Sequence, residues 1–273
     1  MNTTLFTEVS CPLSQLIHNI DSGEIGLPDI QRPFVWTPAK VRDLFDSMYR
    51  GFPVGYLIFW ANGAADGARL IGTGTKQRVP RLLIVDGQQR LTSLYAVLKR
   101  EPVVGADYTP HRIQIAFRPR DARFEVLDAA IGRDPEFIPD ISEIWAGEQT
   151  LLQFTRTFLR RLEQARQQRK LQPLAVADAD AQAEAISRLA LLQNYPFRAL
   201  ELSATVDEEQ VAEVFVRINS KAVPLNQADF ILTLMSVFWD EGRFELERFC
   251  RAARKPSQHG PSPYNHFIQP NPD

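Results

Sequence analysis

The sequence predicts a mixed-sheet α/β (α+β) fold with a mainly helical extension, and three observations carry that reading. The apolar run Tyr56 to Trp60 reads as a buried strand. Arg81 to Asp86 reads as another; Gly87 stops it, and helical spacing follows at once at Leu91, Leu94, Tyr95 and Leu98. From about Asp140 onward the apolar period is mostly that of helices.

In chain order, a first helix is expected from Pro12 to about Ser22, capped by Ser10, with Leu13, Leu16, Ile17 and Ile20 on one face. Ile25 to Pro28 is extended and leads into Ile30-Gln31-Arg32-Pro33-Phe34-Val35-Trp36. Thr37 caps the next helix with Pro38 at its first position, and Val41, Leu44, Phe45 and Met48 form its stripe before Gly51. Residues 61–69 read as a loop of small residues. Arg112 to Phe117 and Phe124 to Leu127 alternate like a hairpin or two strands of a mixed sheet. A short piece near Ile141–Trp145 precedes a long helix over about 151–172, and an alanine-rich helix is expected at about 180–194. Phe197 to Leu202 reads as a returning strand. Thr205 to Glu208 is a capping-box pattern opening a helix through Val216, and a last helix is expected from Asn226 to Trp239. The expected division is an α/β part over 1–135, a helical part over 136–255 and a proline-rich connector over 256–273, leading to a further domain.

The chain of 273 residues carries 31 basic and 33 acidic side chains, a formal charge of -2. A domain that holds duplex DNA by neutralising phosphates is usually basic, so DNA contact must rest on a local patch or another domain. Two cysteines, Cys11 and Cys250, make no disulfide framework or zinc spacing. The N-terminus lacks the basic and apolar regions of a signal peptide, and no run of about 18 apolar residues suggests a membrane span. A cytoplasmic protein is expected.

The richest segment for chemistry is Leu82-Leu83-Ile84-Val85-Asp86-Gly87-Gln88-Gln89-Arg90-Leu91. A buried strand enters a tight glycine turn and a helix begins immediately. The unpaired N–H groups of that helix start and its dipole favour an anion. Gly87 lets a ligand approach the backbone. Arg90 suits a bidentate phosphate contact, Gln88 and Gln89 suit phosphate oxygens or a water, and Asp86 suits Mg²⁺ or an attacking water. The plain alternative is that Asp86 caps the helix and Arg90 pairs with a neighbouring carboxylate. No Walker A loop is present. Among the aromatics, Phe34, Trp36 and Tyr56 could stack on a base, with the core as their ordinary place.

The run DGQQRLTSL, with IQRPFVW before it and FVRINSKAVPLNQADFIL after it, resembles the GmrSD-type restriction endonuclease N-terminal domain family. The pattern Asp43-Leu44, Ser47-Met48 and Gly51-Phe52-Pro53-Val54-Gly55 is also similar to the wider ParB/sulfiredoxin-like superfamily. The resemblance implies a domain that binds and hydrolyses a nucleoside triphosphate with Mg²⁺ within modification-dependent DNA restriction or anti-phage defence. It assigns NTP hydrolysis to Asp86, Gly87, Gln88, Gln89 and Arg90, and places Gln31 and Arg32 in the same pocket. Sulfiredoxin chemistry is not expected, because Gln88-Gln89 stand where its cysteine would be.

In the third motif, Arg217 and Asn219 either cap a helix C-terminus, or Arg217 reaches the triphosphate and Asn219 contacts the nucleotide or DNA, with Asp229 a weaker candidate. Trp36 is the aromatic candidate for nucleotide contact. Arg156, Arg160, Arg161, Arg166, Arg169 and Lys170, against Glu163, form the best basic patch for a DNA backbone or, more plainly, a solvated helix face. The resulting reading is an NTPase regulatory domain that meets DNA through another domain or subunit, such as an HNH-type nuclease, with assembly into an oligomer left open. Its rivals are a nucleotide-gated DNA-binding or modification-sensing module without hydrolysis, and a metal-dependent DNA nickase.

Overall fold

A computed structural model describes residues 4–26, 34–61, 80–105 and 109–219, together with 239, 241, 242, 245, 246, 248 and 249. Within them, β1 (Phe6–Pro12) runs directly into α1 (Leu13–Asp21), followed by β2 (Ile25–Gly26), α2 (Pro38–Tyr49), β3 (Leu57–Ala61), β4 (Leu82–Asp86) and α3 (Gln88–Lys99). Two small ribbons come next, β5 (Val103–Val104) with β6 (Pro110–His111), and β7 (Ile115–Arg118) with β8 (Arg123–Val126). After a 3-10 turn at Ile141–Ile144 come α4 (Leu151–Gln168), α5 (Val176–Ala190), β9 (Pro196–Leu202) and α6 (Glu208–Asn219).

The five-stranded sheet has the order β1-β9-β3-β4-β2. It is mixed: β9 runs antiparallel to β1 and parallel to β3, and β4 runs antiparallel to β3 and parallel to β2. The strand at 196–202 thus lies inside a sheet otherwise built from residues 6–86, so one sheet spans the two sides of residue 135.

Alternation along β3 and β4 divides the apolar residues between two faces. Leu57, Phe59, Leu82 and Ile84 join the large core beneath α1, α2, α3, α4 and α5. Ile58, Trp60 and Leu83 face a smaller core with Leu202, Val206 and Val211, and the Trp60 indole donates to the Val206 carbonyl at 3.1 Å. Tyr49, Phe117 and Phe124 pack ring on ring with centroids 4.7–5.6 Å apart, binding α2 to the β7–β8 hairpin. Arg188 stacks on Tyr49 and donates to its carbonyl at 2.7 Å, joining α5 to the same cluster.

Several local expectations hold. Thr37 Oγ1 accepts from the Lys40 amide at the start of α2, with Pro38 at the first helical position. The hairpin at 115–126 forms, as a ribbon of its own rather than as part of the main sheet. Others shift. Ser10 does not cap α1; it lies in β1, an unforeseen strand, and the cap position is Pro12 with no side-chain bond. The alternation in β1 is weak because an edge strand exposes most of its residues.

The helix expected through residue 172 ends at Gln168, where Lys170 takes φ 55° and Arg166 Nε and Nη2 close on the Gln172 carbonyl. The alanine-rich helix begins earlier, at Val176, and finishes as a 3-10 turn over Leu191–Asn194. The capping box before α6 is framed by Asp207 and Gln210, not by Thr205 and Glu208. The Asp207 carboxylate accepts from the Gln210 amide at 2.8 Å, and Gln210 Oε1 accepts from the Asp207 amide at 3.3 Å. The expected helix at 226–239 lies outside the described residues except for its end at Trp239, as does the segment 256–273.

Candidate functional site

Leu82, Leu83 and Ile84 are buried in β4, and the strand delivers Asp86 and Gly87 to one end of the sheet. Gly87 occupies the cap position of α3 at φ 91°, a left-handed conformation that disfavours any residue with a Cβ. A Cβ there would also run into Leu57 Cδ2. Gly87 therefore provides no side-chain cap, and Gln88, Gln89 and Arg90 fill the first turn of α3. Leu91 and Leu94 are fully buried. At about 2 kcal/mol or more for each such side chain, packing rather than capping sets the helix in place.

Arg90 is held on three sides. Its Nη1 donates to the Val54 carbonyl at 2.6 Å, and its Nη2 donates to the Tyr56 carbonyl at 2.8 Å and to Asp86 Oδ2 at 3.3 Å. Burial lowers the guanidinium pKa from its ordinary value, and the Asp86 carboxylate opposes that shift. The contact with Asp86 is the carboxylate pairing that the sequence left open as the plain alternative.

Gln89 Oε1 accepts from the Val35 amide at 3.2 Å, and its carbonyl accepts from the buried Ser93 hydroxyl at 2.6 Å. The Phe34 amide donates to the Val104 carbonyl at 2.6 Å. The stretch that follows Gln31-Arg32 is thereby docked against the first turn of α3. Gln31 and Arg32 themselves lie outside the described residues.

Phe34 is buried in the core, and Trp36 is half-buried, packed against the core with Lys40 Nζ 4.4 Å from its ring centroid. Tyr56 is the exposed one of the three aromatic candidates, at 49%.

The other candidates lie apart. Arg217, in the last turn of α6, pairs with Glu213 through Nε at 3.0 Å on an exposed face. Nothing is described of the Asn219 side chain or of Asp229. On α4, Arg156, Arg160 and Arg161 are all exposed, and Arg161 Nη2 also donates to the Phe137 carbonyl at 2.6 Å. Burial lowers the Arg161 pKa, with Glu143 opposing. Arg166 closes the helix end on the Gln172 carbonyl, while Arg169 at the cap position and Lys170 after it are exposed. Within the basic run, Arg161 and Arg166 are thus the members with structural hydrogen bonds described. Glu163 accepts from the Leu174 amide at 3.0 Å.

Sequence reasoning passed over Gly55 and the Val54 and Tyr56 carbonyls as parts of the site. Gly55 has φ 87°, and a Cβ on it would stand 2.7 Å from Arg90 Nη1. The only sequence signal was the two glycines of Gly51-Phe52-Pro53-Val54-Gly55. Among the described residues no group of three or more His, Cys, Asp or Glu could hold a metal ion. Mg²⁺ requires fewer protein ligands, since one or two carboxylates with phosphate oxygens suffice, and Asp86 fits that demand with a side chain 29% exposed. No helix among the described residues is long and apolar enough to cross a membrane.

An uncharacterized protein of Methanocaldococcus jannaschii is 37% identical over 92 residues, which is 30% of this chain and 16% of that protein. The chain thus spans well under a fifth of that relative's length. Residues 13–236 match the family described as GmrSD restriction endonuclease, N-terminal domain. This match takes in α1 through α6 and includes the strand–glycine–helix turn with the segment docked on it; the chain belongs to the GmrSD restriction endonuclease N-terminal domain family.

Proposed function

We propose that the turn Asp86–Arg90 binds the phosphates of a nucleoside triphosphate and hydrolyses it, as the regulatory step of a DNA restriction system. The observation that carries this reading is the glycine-capped start of α3 with the Val35 amide docked on Gln89. A buried strand ends at a residue without a side chain, the first turn of a packed helix follows, and the segment after Gln31-Arg32 closes against it. Backbone N–H groups in such a turn attract phosphate oxygens, and the helix dipole adds to the attraction.

Asp86 would hold Mg²⁺, which when bound neutralises charge on phosphate oxygens. Gln88, at the first helical position, would orient a water toward the terminal phosphate. Gln89 keeps the 34–36 segment in place through the Val35 amide. Cleavage of DNA falls to another domain or subunit, for which an HNH-type nuclease is the candidate, and the exposed Arg156 and Arg160 offer a modest contact to the DNA backbone.

A nucleotide-gated binder without turnover is the second reading. It is favoured by Arg90, whose hydrogen bonds to two carbonyls and Asp86 occupy donors that would otherwise meet a developing phosphate charge. Calorimetric titration with ATP and GTP, with and without Mg²⁺, followed by phosphate-release assays, separates the two. Mg²⁺-dependent release that is lost in Asp86→Asn supports hydrolysis here. Tight binding without release supports the gated binder, and absence of binding by the wild-type chain rules out both.

A further inference from the structure

Arg90 is the residue of the DGQQR run whose surroundings are most completely defined. Three groups from two places in the chain converge on its guanidinium: the Val54 and Tyr56 carbonyls of one segment and the Asp86 carboxylate at the end of β4. Two glycines make room for it. Gly55 at φ 87° and Gly87 at φ 91° both lie against the fork, and a Cβ on either would come within 3.3 Å of one of its nitrogens. The side chain is only 15% exposed. This is the setting of a clamp between two backbone segments, with the planar guanidinium spanning acceptors that a point charge could not reach together.

We propose that Arg90 is a positioning residue: it locks the Val54–Tyr56 turn against the strand–glycine–helix site and acts on bound nucleotide through that turn, without touching a phosphate. The inference rests on the nucleotide-binding reading above and assigns a second wall to that site. This wall is the segment 52–56, which carries the exposed Phe52 and Tyr56. Its free end is tied down from the other side, because the Tyr195 hydroxyl donates to the Phe52 carbonyl at 2.6 Å. With both ends held, the turn keeps one shape, and the strand that follows it enters the sheet in register with Asp86 opposite Ile58.

The test compares wild type, Arg90→Ala, Arg90→Lys, Gly55→Ala and the Arg90→Ala/Gly55→Ala pair in the full chain. Affinities are measured for the nucleoside mono-, di- and triphosphate, together with amide hydrogen exchange over 52–57. A positioning role predicts the same fold-loss for all three nucleotides, about tenfold to a hundredfold from losing charge-assisted hydrogen bonds. Lysine does not rescue it. Gly55→Ala, which displaces the fork and leaves its charge in place, gives a similar loss, and the pair is no worse than either single change. Exchange over 52–57 rises in all four variants.

A loss that grows with the number of phosphates, or rescue by lysine, overturns the proposal and makes Arg90 a phosphate ligand. Unchanged exchange over 52–57 overturns it as well, and that measurement decides the clamp even for a variant too unstable for titration. A wild-type chain that binds no nucleotide removes the functional reading, while the exchange data still decide whether Arg90 holds the turn.

Discussion

The Val35 amide donates to Gln89 Oε1 across 54 residues of sequence, and this single bond docks the segment after Gln31-Arg32 on the first turn of α3. Gln89 thereby has a structural duty beside the chemical one its motif suggests. Gln89→Ala removes the acceptor, and a cost of about 1 kcal/mol is expected from denaturant unfolding, the usual worth of a neutral hydrogen bond. Nucleotide affinity should fall along with it, and Gln89→Glu, which keeps an acceptor oxygen, should retain more of the stability than the alanine variant.

Gly87 and Gly51 both have positive φ but differ in their surroundings. Gly51→Ala meets open space and bears backbone strain alone, about 1–2 kcal/mol. Gly87→Ala adds a collision with the buried Leu57 side chain, and a total of about 2–4 kcal/mol is expected. Urea denaturation of the two variants side by side checks the order; equal costs would mean that Leu57 moves aside freely.

Asp140 is buried and accepts from Arg112 Nη2 at 2.8 Å, Gln114 Nε2 at 3.2 Å and the Ser142 amide at 3.0 Å. Replacing it by alanine strands donors that water reaches only in part. Arg112 is 39% exposed and can turn to solvent, which limits the cost to about 2–4 kcal/mol. Asp140→Asn keeps one acceptor oxygen and should cost less. Chemical unfolding with an unchanged denaturant slope would confirm that the native state alone is affected.

Much of this was legible in the sequence. Gly87 between an apolar strand and an apolar-periodic helix announced the turn, and Thr37-Pro38 announced α2, because both are local rules of backbone conformation. Arg90 was harder. Its residue type and spacing suit a phosphate equally well, and only the fold brings the Val54 and Tyr56 carbonyls to it from more than thirty positions away. β1 escaped notice because an edge strand has little alternation to read. The basic run on α4 looked like one patch, since sequence does not show that Arg161 reaches back to the Phe137 carbonyl.

Tyr95 makes stability depend on alkaline pH. Burial first, then the hydrogen bond to Asp21 Oδ1 at 2.9 Å, push its phenol up to about 12 from the ordinary 10.0. The fold therefore favours the neutral phenol. Its contribution is whole below pH 10 and is lost as pH rises from 10 to about 12. Burial also raises the Tyr49 and Tyr195 phenols, so tyrosinate absorbance in Tyr95→Phe should lose one of several late-titrating groups, and the same variant should flatten the stability profile over that window.

If α4 meets DNA, Arg156 and Arg160 are the residues to do so. The double variant Arg156→Glu/Arg160→Glu should leave the melting temperature nearly unchanged and reduce the slope of log affinity against log salt by about 2 in magnitude, as expected for two lost phosphate contacts. Arg161→Ala should instead lower stability, because it frees the Phe137 carbonyl and unloads the Phe158 ring. Salt-dependent DNA titrations that leave the double variant indistinguishable from wild type would make α4 a plain solvated face.

The place of β9 between β1 and β3 sets a timetable for the chain. During synthesis, the strands at either side of it emerge well over a hundred residues before the one that joins them. Until then β1 has no sheet to belong to, and β3 shows an open edge beside the very turn that Arg90 clamps. A nascent or truncated chain that stops short of residue 196 would present two unsatisfied ladders, which invite pairing with other chains. The site is therefore completed late, after almost all of the described fold has left the ribosome, and a fragment ending near residue 135 should be recovered as aggregate rather than as a working nucleotide binder.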